Sequence, residues 1–202
     1  TALGVLAGMK AAAFHRYGNA DLAGRIVAIQ GVGNVGFALA ELLHKEGARL
    51  LVADIDAQKI EQARRAFGAE PVNAEHFFHS HCHILAPCGL GAVINDNTLP
   101  LLDCDIIAGS ANNQLAEARH GQILHERGIL YAPDYVINAG GIISVTLEYI
   151  ARRSAQHCEL AEVHRRLAEI PERLTRIWNE ARSSGLSPDA VADAMAQKLI
   201  GR

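Results

Sequence analysis

Apolar residues in the first part of the chain follow two spacings, which predict strands that alternate with helices. A short run rich in β-branched residues, 25–30, has the length and composition of a buried parallel strand. Within 35–43 the apolar residues recur three and four positions apart, as on one face of a helix. A second apolar run, Arg49–Ala53, predicts another strand. Strand, helix and strand in this order are typical of a parallel sheet covered by helices.

The rest of the chain continues the alternation and then becomes helical. Helices are predicted at Ala2–Tyr17 and Ala57–Phe67, each followed by a glycine that favours a helix end. Further strands are predicted at 84–86, 106–108 and 129–132, each running into a loop of small or amide residues. From residue 138 onward we expect helices, including a long one at 159–183 and a last one after the cap Ser187-Pro188.

The segment between the first strand and its helix, residues 31–36, has the spacing G-x-G-x-x-G. Gly31 would allow a tight turn, Gly33 would let backbone approach a pyrophosphate, and Gly36 would let helix and strand pack closely. The helix start adds N–H donors and a partial positive charge. This pattern predicts dinucleotide binding, and the alternative is an ordinary tight turn.

Asp54 follows the second strand directly, about 20 residues after the glycine loop. Its carboxylate would accept hydrogen bonds from both hydroxyls of the adenosine ribose and repel a 2′-phosphate, which favours NAD over NADP. Asp56 is an alternative ribose ligand, and a helix cap or turn is the alternative role for Asp54. These features predict an α/β fold: a doubly wound, mostly parallel Rossmann sheet with helices on both faces, a helical C-terminal extension, and one domain over residues 1–202.

Composition narrows the class of protein. The chain has 202 residues with a formal net charge of −3, which gives no electrostatic case for nucleic acid or an anionic membrane. No apolar run approaches the roughly 20 residues of a membrane-spanning helix. The four cysteines, Cys82, Cys88, Cys104 and Cys158, form no C-x-x-C pair, so we expect reduced thiols and a cytoplasmic protein.

Five motifs stand in order along nearly the whole chain. They occupy residues 1–5, 31–36, 86–91, 109–115 and 131–141. Together they resemble the NAD-binding half of the amino-acid dehydrogenases that act on leucine, phenylalanine, valine and glutamate, most closely the leucine and phenylalanine branch.

The resemblance implies oxidative deamination, in which an L-amino acid, NAD and water become a 2-oxo acid, ammonium and NADH. In that family an N-terminal domain supplies the catalytic lysine, in a glycine-rich motif, and the catalytic aspartate, in a Pro-x-x-Asp-like motif. Neither motif occurs in this sequence. We therefore expect no catalytic residue and no metal in this chain, which would be the cofactor half of a homo-oligomeric enzyme. Thr1 matches a position just after the missing domain. A tryptophan or glutamate dehydrogenase and a stand-alone NAD-binding regulatory module are the alternatives.

The resemblance also assigns site residues. The pyrophosphate would lie on Gly31, Gly33, Asn34, Val35 and Gly36. Asp54 would hold the adenosine ribose, and Ala86 and Cys88 would line the nicotinamide side. Asn112 matches an amide near the nicotinamide ribose, where the alternative is a loop cap, and Thr1 matches a residue near the carboxamide.

Asn138 and Val145 are the expected substrate residues. Asn138 faces the cleft in the family. Val145 stands where the glutamate branch has a serine that helps to hold the side-chain carboxylate, so an apolar substrate is expected. The alternative for Val145 is a helix core residue. Ser144 and Gly89 depart from the asparagine and alanine that are usual in the leucine branch, which leaves the particular substrate open.

Three further features of the sequence give weaker indications of function. His76, His79, His81 and His83 surround Cys82 at spacings that would suit zinc or nickel, yet family members use no metal. No histidine or aspartate is placed by sequence as a base for Cys88, so we expect a packing residue there rather than a nucleophile. His125 and His164 are expected at the surface of helices.

Overall fold

The computed structural model describes residues 1–153 and 160–201. Its sheet has six strands, and every pair of neighbours is parallel. The strands are β1 Ile26–Gln30, β2 Arg49–Ala53, β3 Glu70–Pro71, β4 Cys82–Pro87, β5 Cys104–Ile107 and β6 Leu130–Tyr131. Their order is β3-β2-β1-β4-β5-β6. Successive strands are therefore added on one side of β1 up to β3 and on its other side from β4 onward, so the strand order reverses between β1 and β4. Ligands of such sheets bind at the carboxyl ends of the strands beside that point.

Helices cover the sheet and extend past it. They are α1 Ala2–Tyr17, α2 Asn34–Lys45, α3 Ala57–Phe67, α4 Ala118–Glu126, α5 Asp134–Ile137, α6 Gly140–Arg153, α7 Leu160–Leu167, α8 Glu169–Ser184 and α9 Pro188–Leu199. Within the described ranges, no helix is long and apolar enough to cross a membrane.

The predicted fold class is confirmed, and local sequence accounts for most boundaries. α1 and α3 have the predicted limits because Gly18 and Gly68 both adopt the left-handed conformation that ends a helix. β2 has its predicted limits, and the ends of β1, β4, β5 and β6 differ from prediction by one or two residues. β3 was not predicted, because it is only two residues long. A helix was expected at His125 without limits, and the structure shows it as α4.

The prediction of one helix over 159–183 is wrong. The chain forms α7 and α8 instead, with a break at Ala168. Pro171 has no N–H to donate, and its ring would clash with the carbonyl of Leu167 in a continuous helix. Proline is tolerated in the first turn of α8, where it stands. Residue 159 and the fourth cysteine, Cys158, lie outside the described residues.

Alternate strand residues enter two separate hydrophobic cores, one on each face of the sheet. Ile29 and Ile106 pack in the core that contains α1, α2 and α8. Ala28 and Ile107, their sequence neighbours, pack in the core on the other face with Leu124 of α4. This two-residue period is expected of strands that are buried on both faces.

Candidate functional site

The glycine loop joins β1 to α2, and its three glycines differ in their surroundings. Gly31 has φ +89°, and a Cβ built there would lie 2.7 Å from the backbone of Gly89. A Cβ on Gly36 would lie 2.0 Å from the carbonyl oxygen of Gly31. A Cβ on Gly33 would meet no described atom within 4 Å. The fold itself therefore requires glycine at 31 and 36, whereas Gly33 leaves open space above the loop.

The first turn of α2 faces this open space. Gly33 is the N-cap, and no side chain of the described residues caps the helix. Asn34 and Val35 begin the helix, and the first N–H groups of an α-helix have no partner within it. Together with the positive end of the helix dipole they form a ready site for an anion such as a pyrophosphate.

Asp54 is tied to the glycine loop. Its Oδ2 accepts a hydrogen bond from the backbone N–H of Val32 at 2.7 Å, and its Oδ1 accepts one from the N–H of Asp56 at 2.9 Å. The carboxylate is thus held in one orientation at the end of β2. Asp56 has the capping role, since its side chain accepts from the N–H of Gln58 at 2.9 Å at the start of α3.

A cleft of about 310 Å³ runs along the carboxyl ends of β1, β2 and β4. The lining residues are Gln30, Gly31, Gly33, Ala53, Asp54, Ile55, Lys59, Ala74, Phe77, Phe78, Cys88, Gly89 and Leu90. Ile55 and Leu90 give this cleft exposed apolar surface. We name it the carboxyl-edge cleft.

Sequence reasoning missed several of these lining residues. The isoleucine that directly follows Asp54 in a polar turn is a signal that points to Ile55. The side-chain oxygen Oε1 of Gln30 is buried and has no hydrogen-bond partner among the described residues. Nothing in the sequence distinguishes this glutamine from an ordinary residue at a strand end.

Ala86 and Cys88, at the end of β4, are placed differently. Cys88 lines the carboxyl-edge cleft, whereas the side chain of Ala86 is fully buried in the core that includes α1. Burial raises the pKa of the Cys88 thiol, and a hydrogen bond with Ser110 offsets this only in part. A thiol with a raised pKa is a poor nucleophile at neutral pH, which agrees with a packing role.

Asn112 and Asn138 come from separate loops and meet directly. Nδ2 of Asn138 donates to Oδ1 of Asn112 at 2.7 Å and to the carbonyl oxygen of Ser110 at 3.3 Å. Thr1 lies against the start of α6, since a Cβ on Gly141 would be 2.9 Å from Oγ1 of Thr1. The structure thereby brings Asn112 and Asn138 into direct contact and places Thr1 at the start of the helix that follows Asn138.

Two buried polar residues support this arrangement and were not predicted as site residues. The side-chain amide of Gln114 donates to the carbonyl oxygens of Gly109 and Ala111, each at 3.0 Å. Its backbone N–H donates to Oδ2 of Asp134 at 2.9 Å. The loop that carries Asn112 is therefore fixed at its base by a carboxylate from the start of α5.

Val145 lies on the exposed side of α6 and is 62% exposed. The alternative that it is a helix core residue is therefore wrong. Ile142 and Tyr149 are also exposed, so α6 presents an apolar strip to its surroundings. Within the described ranges, none of these three residues lines the carboxyl-edge cleft.

The histidines around Cys82 do not form a metal site. Nδ1 of His83 accepts a hydrogen bond from the N–H of Ile26 at 3.0 Å, and Nδ1 of His81 lies 3.1 Å from Oδ2 of Asp103. Cys82 itself is buried. In the described part of the chain, only Asp96, Glu117 and His120 bring three potential metal ligands together, and Arg119 already binds both of these carboxylates.

The two histidines predicted at helix surfaces have different surroundings. His164 is exposed, as predicted. His125 is half-buried on α4 and lines a second cleft.

The strand order and the glycine loop at the reversal point define the class of Rossmann-type α/β domains. A model of the glutamate/leucine/phenylalanine/valine dehydrogenase family matches residues 1–60 and 50–200. The chain therefore belongs to this family, which confirms the resemblance found in the sequence.

Individual relatives agree with this assignment. Leucine dehydrogenase of Thermoactinomyces intermedius is 44% identical over 99% of this chain and 53% of its own length. The crystal structure of L-tryptophan dehydrogenase from Nostoc punctiforme superposes with a TM-score of 0.92 at 39% identity, over 99% of this chain and 60% of that one. Glutamate dehydrogenase from Thermus thermophilus, 24% identical with a TM-score of 0.77 over 98% of this chain and 50% of that one, shares the fold. The chain spans about half the length of the curated relatives that it matches.

Proposed function

We propose that this chain is the cofactor-binding domain of an NAD-dependent dehydrogenase that deaminates an apolar L-amino acid to its 2-oxo acid, with release of ammonium and NADH. The observation that carries the proposal is the link between Asp54 and the glycine loop. One carboxylate fixes the place for a ribose next to the place for a pyrophosphate.

The residues of the cleft fit a dinucleotide. The buried Oε1 of Gln30 is an acceptor that a bound ligand would satisfy. The open space at Gly33 admits a phosphate close to the backbone. Without a ligand, a buried oxygen with no hydrogen-bond partner is costly, and the packing of the fold does not require glycine at position 33. A polar ligand in the cleft would account for both features.

Each group of residues has a role toward this cofactor. The N–H groups of Asn34 and Val35 would bind the pyrophosphate, and Asp54 would orient the adenosine ribose. Ile55 offers an apolar surface for the adenine. The Asn112–Asn138 pair offers amide donors and acceptors for the nicotinamide ribose and for substrate. When bound, the nicotinamide accepts the hydride that leaves the amino acid.

The proposal treats residues 1–202 as one dinucleotide-binding domain. Catalytic acid–base groups would come from the portion of the relatives that this chain does not match. Homo-oligomeric assembly and a cytoplasmic location complete the proposal, and the free thiols of Cys82, Cys88 and Cys104 support the latter.

An apolar substrate is favoured by the exposed Val145 on α6 and by the leucine and tryptophan dehydrogenases among the relatives. Glutamate is the alternative, and the glutamate dehydrogenase above shares only the fold with this chain.

Calorimetric titration of the 202-residue chain with NAD and with NADP tests the cofactor. NAD should bind more tightly, and equal affinities would contradict the role of Asp54. Turnover of leucine, phenylalanine, tryptophan and glutamate by the protein joined to its catalytic portion tests the substrate. A preference for glutamate would contradict the argument from Val145.

A further inference from the structure

A second cleft, of about 250 Å³, lies at the opposite edge of the sheet. Its lining residues are His15, Arg16, His125, Gly128, Ile129, Leu130, Trp178, Ala181, Arg182 and Pro188. Leu130 begins β6, and Arg16 contacts Asp105 near the start of β5, so the cleft borders the amino ends of these strands. We name it the amino-edge cleft. It shares no lining residue with the carboxyl-edge cleft.

The lining of the amino-edge cleft carries basic groups and, in the part of the chain that the structure describes, no aspartate or glutamate. Its basic residues are His15, Arg16, His125 and Arg182. Asp105 neutralises Arg16 from outside the lining, at 3.2 Å. A lining with basic side chains and no acidic one favours an anion over a cation.

Of the two arginines in the described lining, Arg16 is paired with Asp105, so Arg182 is the one available to bind an anion. Its guanidinium donates to Nε2 of His15 at 2.7 Å, and no carboxylate of the described residues lies within ion-pair distance of it. Burial and the nearby Arg182 lower the pKa of His15, so this histidine is a neutral acceptor at pH 7. An arginine carries five N–H donors in a planar fork that matches a carboxylate, and His15 occupies one of them.

The remainder of the cleft is apolar and small. Ile129, Leu130, Ala181 and Pro188 contribute aliphatic surface beside the indole of Trp178. The indole is fixed, because its N–H donates to the carbonyl oxygen of Tyr131 at 2.8 Å. The volume lies just below the roughly 300–1,000 Å³ that is typical of pockets for drug-sized ligands, which suits a small ligand.

We propose that the amino-edge cleft binds an organic monoanion of amino-acid size, with its carboxylate at Arg182, an apolar body against Ile129 and Leu130, and no ammonium group. An α-ammonium beside the carboxylate would lie close to the guanidinium of Arg182, and the described lining offers no aspartate or glutamate to pair with it. This selects a simple carboxylic acid over the corresponding amino acid. The site is separate from the proposed dinucleotide site and does not depend on it.

Trp178 is the only tryptophan of the chain, so its fluorescence and its indole N–H resonance report on this cleft directly. The 202-residue chain is titrated with 4-methylpentanoate and with L-leucine, which differ only in the α-ammonium. Inorganic phosphate is the third probe, and sodium chloride of equal ionic strength is the blank. We expect a saturable Trp178 signal with 4-methylpentanoate and none with the other probes.

Arg182→Gln is the test variant, and Arg176→Gln on the same helix is its control. Both arginines are exposed, and each substitution removes one positive charge, but Arg176 does not line the cleft. Loss of a charge-assisted hydrogen bond should weaken 4-methylpentanoate binding about tenfold or more in Arg182→Gln only.

Three results would overturn the proposal. They are a non-saturable signal that the chloride blank reproduces, equal weakening in both variants, and binding of L-leucine as tight as that of 4-methylpentanoate. A saturable signal with phosphate but not with 4-methylpentanoate would also contradict the proposal, because it would show that the ligand needs no apolar part.

Discussion

The carboxylate of Asp54 and the backbone N–H of Val32 are joined by a hydrogen bond of 2.7 Å. This bond connects the end of β2 to the loop that follows β1, and a second bond, from the N–H of Gly31 to the carbonyl oxygen of Ala53 at 2.7 Å, runs beside it. Asp54, which is proposed to determine the preference for NAD over NADP, therefore also helps to hold the glycine loop in place.

Asp54→Ala should reduce the preference for NAD over NADP. The substitution removes both the acceptor for the ribose hydroxyls and the charge that repels a 2′-phosphate. It also leaves the N–H of Val32 without its acceptor, at a cost of about 1–3 kcal/mol. The ratio of the two affinities, measured by calorimetry, separates the change in specificity from the loss of stability.

Asp56→Ala is the matched control for this prediction. Asp56 caps α3, so its removal should cost about 0.5–2 kcal/mol of stability and leave the NAD-to-NADP ratio unchanged. If Asp56→Ala altered the ratio and Asp54→Ala did not, Asp56 would be the ribose ligand.

Gly36→Ala should destabilise the domain in the absence of any ligand. Its Cβ would lie 2.0 Å from the carbonyl oxygen of Gly31 and 3.3 Å from Cβ of Cys88, so the loop must move away from the helix. Substitutions that force backbone shifts in packed regions cost about 1–3 kcal/mol. Urea unfolding, followed by far-UV circular dichroism, measures the loss, and an unchanged midpoint would contradict the packing described.

Gly33→Ala should have the opposite profile. No described atom lies within 4 Å of the added Cβ, and φ of −70° suits alanine, so the unfolding midpoint should stay the same or rise slightly. The methyl group would occupy the space proposed for the pyrophosphate, and NAD affinity should fall about tenfold or more. Wild-type affinity in this variant would show that no phosphate approaches the loop at this residue.

Asp134→Ala should destabilise the loop that carries Asn112. The buried N–H of Gln114 would lose its acceptor, at a cost of about 1–3 kcal/mol in urea unfolding. Asp193→Ala provides the comparison, because the exposed Asp193 accepts a hydrogen bond from the hydroxyl of Tyr135, next to Asp134, rather than from a buried N–H. The prediction fails if the two variants lose the same stability.

His83 should make the domain less stable as the pH falls below neutrality. Burial and the nearby Arg25 lower its pKa from 6.5, and His81 lowers it slightly, while Asp105 opposes the shift. The unfolded chain then binds a proton more readily than the folded one, so stability is lost as the pH drops from above 6.5 toward the folded pKa. Urea unfolding at about pH 7.5 and pH 5.5 should show a smaller loss in His83→Gln than in the wild type. Equal losses would show that His83 does not contribute.

Local sequence was sufficient to predict where an element ends when one residue type determines the backbone conformation at that position. Gly18 and Gly68 ended their helices as predicted because glycine adopts the left-handed conformation without strain. The same holds for the spacing of Gly31 and Gly36, which the close approaches in the structure explain. Pro171 had a readable local effect too, although the prediction of one long helix overlooked it.

The tertiary structure decided which side chains meet. The sequence favours Asp54 over Asp56 because Asp54 directly follows the strand, but their contacts depend on tertiary structure. The position of β2 beside the glycine loop lets Asp54 bond that loop, whereas Asp56 caps α3. The residues of the amino-edge cleft come from four separate segments, so no spacing along the chain could predict them. Sequence determined the elements of this protein because backbone preferences are local, whereas its sites arise where packing brings distant side chains together.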